Sequence, residues 1–189
     1  MSFGFGGWAI SKTCFDYIRE LLPGGKVILE LGSGEGTAEL AKYYRMYSIE
    51  NQKEWINKYD STYIYAPIKK YVNVKLTEDK WWGEFSDKDA FIPPIGIPGE
   101  GSELQSGWFD PEIVKENLPK KYDLILVDGP NGLIGRGGFY KYLDYFDINV
   151  PIIIDDINRK AERILMEKVS EKLEKEYIIL DDEVTGVIL

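Results

Sequence analysis

Residues 27–37 read VILELGSGEGT and decide the fold of this chain. Lys26–Leu31 is a short, mostly apolar run, as expected of a parallel strand that is covered on both faces of its sheet. A glycine cluster follows, and a helix is predicted from Glu35 to Tyr44. Glycines at such a position allow a sharp turn, and the helix N-terminus offers free N–H groups. The stretch therefore predicts a ligand-binding turn between a strand and a helix.

Strand and helix patterns alternate along most of the chain. Strands are predicted, besides Lys26–Leu31, at Met46–Glu50, Thr62–Ala66, Tyr122–Asp128, Pro151–Asp156, Tyr177–Leu180 and Val184–Leu189. Helices are predicted at Ile10–Leu22, Glu35–Tyr44, Gln52–Tyr59, Glu112–Leu118, Phe139–Phe146 and Ile157–Glu176. This alternation predicts an α/β fold with a doubly wound, mostly parallel sheet of seven strands, covered by helices as a three-layer sandwich. A single domain is expected over residues 1–189.

A long insertion at residues 77–107 interrupts the alternation. Residues 93–107 read PPIGIPGEGSELQSG and hold three prolines and four glycines, so regular structure is not expected there. Trp81, Trp82 and Trp108 flank this stretch. A loop of such length in a compact domain is a lid over a ligand or a surface insertion, and the sequence leaves both alternatives open.

The composition excludes several kinds of chemistry and partner. The chain has no histidine, which excludes Ser-His-Asp and Cys-His mechanisms and histidine-ligated metals. Its one cysteine, Cys14, is expected to pack as a small apolar residue. The net charge of −9 argues against a nucleic acid partner, which normally requires a basic patch. No run approaches the ~20 apolar residues of a membrane span, and residues 1–10 do not resemble a signal peptide. A cytoplasmic protein without a membrane or nucleic acid partner is therefore expected.

An acidic residue accompanies the glycine loop. Gly32, Gly34 and Gly36 have the spacing G-x-G-x-G, and Thr37 stands where a dinucleotide fingerprint would have its third glycine. Glu50 ends the next strand, eighteen residues after Gly32, where it can accept hydrogen bonds from both hydroxyls of a ribose. These residues indicate a ligand that contains a nucleoside. A tight turn with a capped helix that binds nothing is the alternative.

The motif VILELGSGEGT, followed by MYSIEN at residues 46–51, resembles the first motif and the second-strand acid of the class I S-adenosylmethionine-dependent methyltransferases. The resemblance continues through YIYAPIKK (63–70), YDLILVDGP (122–130) and IIIDDINR (152–159). It implies the Rossmann-like methyltransferase fold. The motif layout is most similar to that of small-molecule O-methyltransferases, which implies methyl transfer to a small-molecule acceptor on oxygen.

The resemblance also implies a set of cofactor residues. In that family the glycine loop lies against the methionine part of the cofactor, and the second-strand acid holds the ribose. Carried over by position, the methionyl side would be lined by Glu30, Gly32, Ser33 and Gly34, with Glu50 at the ribose and Asn51 and Trp55 at the adenine. The third strand ends at Ala66 and Pro67, where the family normally has an acid that reads the adenine amine.

Three carboxylates end two of the predicted strands. Asp128 ends one, and Asp155 and Asp156 end another; if these strands are neighbours, their ends lie about 5 Å apart. Three carboxylates so close together need a cation, an arginine or lysine, or a raised pKa. In one alternative, which resembles the metal site of catechol-type and macrocin-type O-methyltransferases, Asp128, Asp155 and Asp156 bind Mg²⁺. In the other, the aspartates cap a helix or pair with Arg159, and Asp128 is the catalytic proton acceptor.

Several alternatives remain open from sequence. Arg136, in the loop 129–138, holds an anionic substrate, pairs with Asp155 or Asp156, or is a solvated surface residue. The chain as a whole is either a methyltransferase, an NAD-dependent oxidoreductase or an S-adenosylmethionine-binding module without catalysis. Gly32, Gly34 and Glu50 fit a dinucleotide site loosely, but the third glycine and room for a substrate domain are missing. The oligomeric state stays open, with a homodimer as one alternative.

Overall fold

The computed structural model describes residues 9–70, 107–132 and 134–189. The insertion predicted at 77–107 lies outside these residues, apart from Gly107, and so do Trp81 and Trp82. Within the described ranges no helix is long and apolar enough to cross a membrane.

Nine strands and five α-helices form the described part of the chain. The strands are β1 (Val27–Leu31), β2 (Arg45–Glu50), β3 (Ser61–Tyr65), β4 (Ile68–Lys70), β5 (Gly107–Phe109), β6 (Leu124–Val127), β7 (Ile152–Ile154), β8 (Tyr177–Ile179) and β9 (Gly186–Ile188). The helices are α1 (Lys12–Leu21), α2 (Glu35–Leu40), α3 (Pro111–Asn117), α4 (Gly138–Lys141) and α5 (Lys160–Leu173).

Seven of the strands form one sheet in the order β3-β2-β1-β6-β7-β9-β8. All neighbours in it pair in parallel except β9, which is antiparallel to both β7 and β8. This is the strand order of the Rossmann-like methyltransferase sheet, so the predicted fold class is confirmed. The sequence did not predict the pairing of β4 with β5, which form a separate antiparallel ladder.

Two hydrophobic cores, one on each face of the sheet, make the fold a three-layer sandwich. Side chains alternate along each strand. Leu29 therefore packs into one core together with Leu165 of α5, whereas Ile28 packs into the other together with Ile18 of α1. Cys14 is fully buried in the α1 core, as expected of a packing residue.

The predicted helix at 52–59 is wrong. Only a single 3₁₀ turn forms there, at Lys53–Trp55, because Ile56 is extended and Asn57 has a left-handed backbone with φ 60°. An asparagine tolerates that conformation, which ends a helix. The helices predicted at 35–44 and 139–146 are also shorter than expected: the first ends at Leu40, and the second is a short α4 followed by a 3₁₀ turn.

The turns after β1 and β6 touch through their backbones. Gly32 has φ +97°, and the N–H of Gly32 donates to the carbonyl of Ile49 at 2.8 Å. A Cβ built on Gly129 would lie 2.6 Å from the Cα of Gly32. Neither glycine leaves room for a side chain, so the two turns can approach this closely only because both residues are glycine.

Replacing Gly129 by alanine is therefore expected to lower the free energy of unfolding by ~1–3 kcal/mol, since the new methyl group meets backbone atoms that cannot rotate away. Urea unfolding followed by circular dichroism measures the change. Gly24→Ala is the matched control, because a Cβ at Gly24 has its nearest neighbour, the carbonyl oxygen of Tyr43, at 3.8 Å. Equal stability of the two variants would contradict the close approach of the turns.

Candidate functional site

A cavity of about 780 Å³ opens at the carboxyl ends of four neighbouring strands of the sheet. The loops that follow β1, β2, β6 and β7 line it, through residues 32–33, 50–52, 128–132 and 155–156. The strand order reverses between β1 and β6, and open α/β sheets bind their ligands at such a reversal. Cofactor and substrate sites typically measure about 300–1,000 Å³. The cavity is therefore the candidate site of this chain.

The glycine turn contributes Gly32 and Ser33 to the cavity wall. The hydroxyl of Ser33 lies 3.0 Å from the hydroxyl of Tyr63, which fixes its side chain. Gly34 is not part of the wall. Its N–H donates instead to the hydroxyl of Thr37 at 3.0 Å, which ties the turn to the first residues of α2.

Glu30 lies behind the glycine turn and not in the cavity wall. Glu30 is 1% exposed. Its Oε2 accepts hydrogen bonds from the hydroxyls of Thr37 and Ser48, each at 2.8 Å. Burial raises the pKa of Glu30 to about 7. The sequence did not single out Ser48, although a buried serine beside a buried glutamate on the next strand is a recognisable sign of such a network. Glu30 thus holds the turn in place from within the protein.

Glu50 presents an oriented carboxylate to the cavity. Its Oε1 accepts from the backbone N–H groups of Asn51 and Gln52, each at 2.6 Å, and the carboxylate also accepts from the backbone N–H of Ser33. Burial raises the pKa of Glu50, while these backbone hydrogen bonds oppose the shift. Asn51, Gln52 and Trp55 line the cavity beside it. The carboxylate is held rigidly where a polar ligand can reach it.

The three aspartates that were predicted to meet do converge, on the side of the cavity opposite Glu50. One carboxylate oxygen each from Asp128, Asp155 and Asp156 lies within 4.8 Å of the others. The convergence follows from the parallel pairing of β6 with β7, because parallel strands bring their carboxyl ends to the same edge. Burial, together with the neighbouring carboxylates, raises the pKa of Asp128 and of Asp155.

Arg136 supplies the cation of this cluster. Its Nη2 donates to Asp128 at 3.2 Å and to Asp156 at 2.7 Å, and its Nη1 donates to the carbonyl oxygen of Asp155 at 2.7 Å. The guanidinium is only 3% exposed. It is thus committed to the protein, unlike the substrate-binding arginine that was one alternative from sequence. Arg159, which is 39% exposed on its side chain, adds a second contact to Asp156 at 2.6 Å.

Glu162, on α5, is a fourth acid of this cluster that was not predicted from the sequence. It is 1% exposed, lies 4.0 Å from the Nε of Arg136, and neither of its carboxylate oxygens has a hydrogen-bond partner within the described residues. Burial raises the pKa of Glu162 to about 7. The sequence position of Glu162 could have indicated its role. It lies between Ala161 and Leu165 on the buried stripe of α5, where a charged residue requires a partner.

The geometry bears on the Mg²⁺ alternative. The three aspartates offer the hard oxygen ligands that Mg²⁺ prefers. However, the Nη2 of Arg136 already contacts Asp128 and Asp156, so an ion held by all three carboxylates would stand beside a guanidinium of the same sign. The arrangement found fits a resident arginine better than a metal ion.

Comparisons with known proteins give distant structural matches only. No protein-family model and no curated protein matches the chain. Fibrillarin from Aeropyrum pernix, solved with natively bound S-adenosyl-L-methionine, matches with a TM-score of 0.43 and 12% identity over 88% of this chain and 67% of that chain. An rRNA methylase from Streptococcus thermophilus matches with a TM-score of 0.43 and 12% identity over 93% of this chain and 91% of that chain.

A third match is a fibrillarin/Nop5p complex, with a TM-score of 0.41 and 13% identity over 88% of this chain and 72% of that chain. At such TM-scores the matches carry no argument about the activity of this chain. They do contradict one prediction. An rRNA methylase and a fibrillarin complex stand against the expected combination of a small-molecule substrate with no nucleic acid partner, so that prediction is wrong and is not retained.

Replacing Arg136 by leucine is expected to lower the free energy of unfolding at neutral pH by ~3–5 kcal/mol, because it leaves buried carboxylates without their cation. The loss should shrink towards about pH 5. Without the guanidinium the folded-state pKa values of Asp128, Asp155 and Glu162 rise further above their unfolded values, so protons bind the folded state preferentially and lowering the pH stabilises it.

Urea unfolding at a series of pH values measures both effects. Arg159→Leu is the control, since the half-exposed Arg159 forms an ion pair that is worth less than ~1 kcal/mol. A loss in Arg136→Leu that does not vary with pH would contradict the proposed charge balance.

Proposed function

We propose that the chain is an S-adenosylmethionine-dependent methyltransferase and that the cavity binds this cofactor. The observation that carries the proposal is the Glu50 carboxylate, held at the cavity wall by backbone N–H groups at the end of the strand next to the glycine turn. A carboxylate so oriented can accept hydrogen bonds from the two hydroxyls of a ribose. The Rossmann-like methyltransferase strand order supports the same assignment.

Residues around the cavity divide between the parts of the cofactor. Gly32 and Ser33 would lie against the methionyl part, Glu50 would hold the ribose, and Asn51 and Trp55 would border the adenine. Glu30 and Gly34 would act indirectly, by holding the glycine turn through Thr37. The residues present fit the cofactor, because each of its parts would meet a polar or aromatic group of the cavity wall.

The charge of the cavity supports S-adenosylmethionine over a dinucleotide. Its wall holds four carboxyl groups, those of Glu50, Asp128, Asp155 and Asp156, against the two guanidinium groups of Arg136 and Arg159. With all four carboxyl groups ionised, the wall has two more negative than positive charges, and the raised pKa values of Asp128 and Asp155 reduce this excess near neutral pH. S-adenosylmethionine carries a sulfonium and an ammonium group against one carboxylate and is a net cation, whereas the diphosphate of NAD is an anion that this cavity would repel.

Asp128 is the proposed proton acceptor of the reaction. S-adenosylmethionine supplies an electrophilic methyl group, and the acceptor atom loses its proton when it takes that group. Arg136 contacts Oδ1 of Asp128. The side chain of Asp128 is about one fifth exposed and borders the cavity. The raised pKa of Asp128 brings this carboxylate towards the range in which a general base works near neutral pH. An oxygen acceptor suits this role, since a hydroxyl group must lose its proton.

Calorimetry is expected to show binding of S-adenosylmethionine and no binding of NAD. Glu50→Gln should weaken the binding of S-adenosylmethionine by ~1–3 kcal/mol, through the loss of charge-assisted hydrogen bonds. Glu54→Gln is the matched control, because Glu54 is an exposed acid four residues further along the same loop. Tight NAD binding, or equal affinities of the two variants, would overturn the assignment.

Asp128→Asn is expected to lower the rate of methyl transfer by ~10²–10⁴-fold, the usual contribution of a general base, while S-adenosylmethionine binding stays near normal. The assay follows radiolabelled methyl groups into the RNA, protein and small-molecule fractions of a cell extract. The wild-type rate should rise with pH as Asp128 loses its proton, and Asp128→Asn should abolish that rise. Asp60→Asn, an exposed acid outside the cavity, is the control.

A chelator added to the same assay separates the metal-free mechanism from the Mg²⁺ alternative. In the metal-free mechanism the rate does not change. A rate that is lost with the chelator and restored by Mg²⁺ would instead assign Asp128, Asp155 and Asp156 to a metal ion. An extract in which no fraction is labelled by the wild-type protein would favour a binding module without catalysis.

A further inference from the structure

Strand β8 leaves an apolar edge of the sheet open. Among the residues that the structure describes, it is the last strand of the seven and pairs only with β9. Its three residues, Tyr177, Ile178 and Ile179, are all large and apolar, yet they are 39%, 42% and 38% exposed. Leu189, just after β9, is 51% exposed. Soluble proteins rarely leave consecutive large apolar side chains exposed on a sheet edge.

The backbone of β8 has hydrogen-bonding groups that point outwards. The N–H of Leu189 donates to the carbonyl of Glu176, and the N–H of Leu180 donates to the carbonyl of Thr185. Residues of an antiparallel ladder alternate between facing the partner and facing away. Glu176 and Leu180 face β9, so the N–H and C=O groups of Tyr177 and Ile179 point away from the sheet. This edge can therefore pair with one more strand.

The charges around β8 are mostly negative. Glu174 and Glu176 precede the strand, and Asp181 and Glu183 follow it; all four side chains are exposed. Lys175, the only basic residue between Glu174 and Glu183, donates to the carbonyl oxygen of Ile148 at 2.8 Å and so faces another part of the protein. An apolar strip with acids at both ends is complementary to an extended segment that alternates apolar and basic residues.

The other edge of the sheet, β3, is different in character. Its burial alternates, with Ser61 and Thr62 among its polar positions, and its exposed aromatic residue, Tyr65, has the ammonium of Lys53 at 5.7 Å from its ring. Neither strand contains a lysine or a proline, but β3 has polar residues and one buried position, whereas all three residues of β8 are large, apolar and exposed.

We propose that the edge of β8 binds an extended, basic segment of another protein, which adds to the sheet as an eighth strand. Backbone hydrogen bonds to Tyr177 and Ile179 would fix the segment, and its basic side chains would face the acids at both ends of β8. A second copy of this chain fits less well, because its own β8 would bring the same acids against them. The proposal does not depend on the function assigned to the cavity.

The test uses a fluorescein-labelled peptide of seven residues that alternates valine and lysine, with fluorescence anisotropy as the readout. The full chain should bind this peptide, and a peptide that alternates valine and glutamate should not bind. Ile179→Pro should weaken binding at least tenfold, because it removes an outward N–H that β9 does not use. A double variant, Glu174→Lys with Asp181→Lys, should weaken binding and reduce its dependence on salt, without touching β8 itself.

Thermal unfolding confirms that each variant is folded before binding is compared, and the charge variant keeps the test valid if Ile179→Pro does not fold. Absence of binding by the wild-type chain would overturn the proposal, and so would equal binding of the two peptides. Light scattering supplies a further check: a dimer that Ile179→Pro converts to a monomer would assign this edge to self-association and overturn the proposed partner.

Discussion

The candidate site depends on the ion pairs and hydrogen bonds that the guanidinium of Arg136 forms with the surrounding acids. Parallel pairing of β6 with β7 forces Asp128, Asp155 and Asp156 to the same edge, and α5 adds Glu162 from below. Burying so many carboxyl groups is costly unless a cation accompanies them. Arg136 meets this requirement in a nearly closed environment, with its planar fork reaching two carboxylates and a backbone carbonyl at once.

This commitment of Arg136 has a chemical consequence for the cavity. Both terminal nitrogens of this guanidinium donate to protein oxygens, so it is not free to hold an anionic substrate, and it competes with a metal ion for the same oxygens. What remains for a ligand is a negative wall and an oriented carboxylate, Glu50, on the opposite side. These features favour a cationic ligand that carries hydroxyl groups, and S-adenosylmethionine has both properties.

The wall itself rests on close backbone packing. Gly32 and Gly129 bring the turns after β1 and β6 into contact, and Glu30 anchors the first of these turns from inside the protein. The cavity is thus bounded by turns that have little freedom to move. Such rigidity suits methyl transfer, in which the positioning of two reacting groups accounts for much of the rate.

The sequence by itself determined the parts that depend on local pattern. Apolar runs predicted the α/β sheet, and the glycines predicted the turn at Gly32–Gly34. Acids at strand ends predicted the position of Glu50 at the end of its strand and the meeting of Asp128 with Asp155 and Asp156. These predictions succeed because side-chain periodicity and the common edge of parallel strands hold in any such sheet.

Only the tertiary structure decided how these groups are paired and which of them reach the cavity. It turned Glu30 away from the wall, reduced the predicted helix at 52–59 to a 3₁₀ turn, and brought Arg136 to Glu162, which lies twenty-six residues further along the chain. Each of these outcomes depends on side-chain direction and on contacts between segments distant in the chain. Neither side-chain direction nor such contacts can be read from the spacing of residues along the sequence.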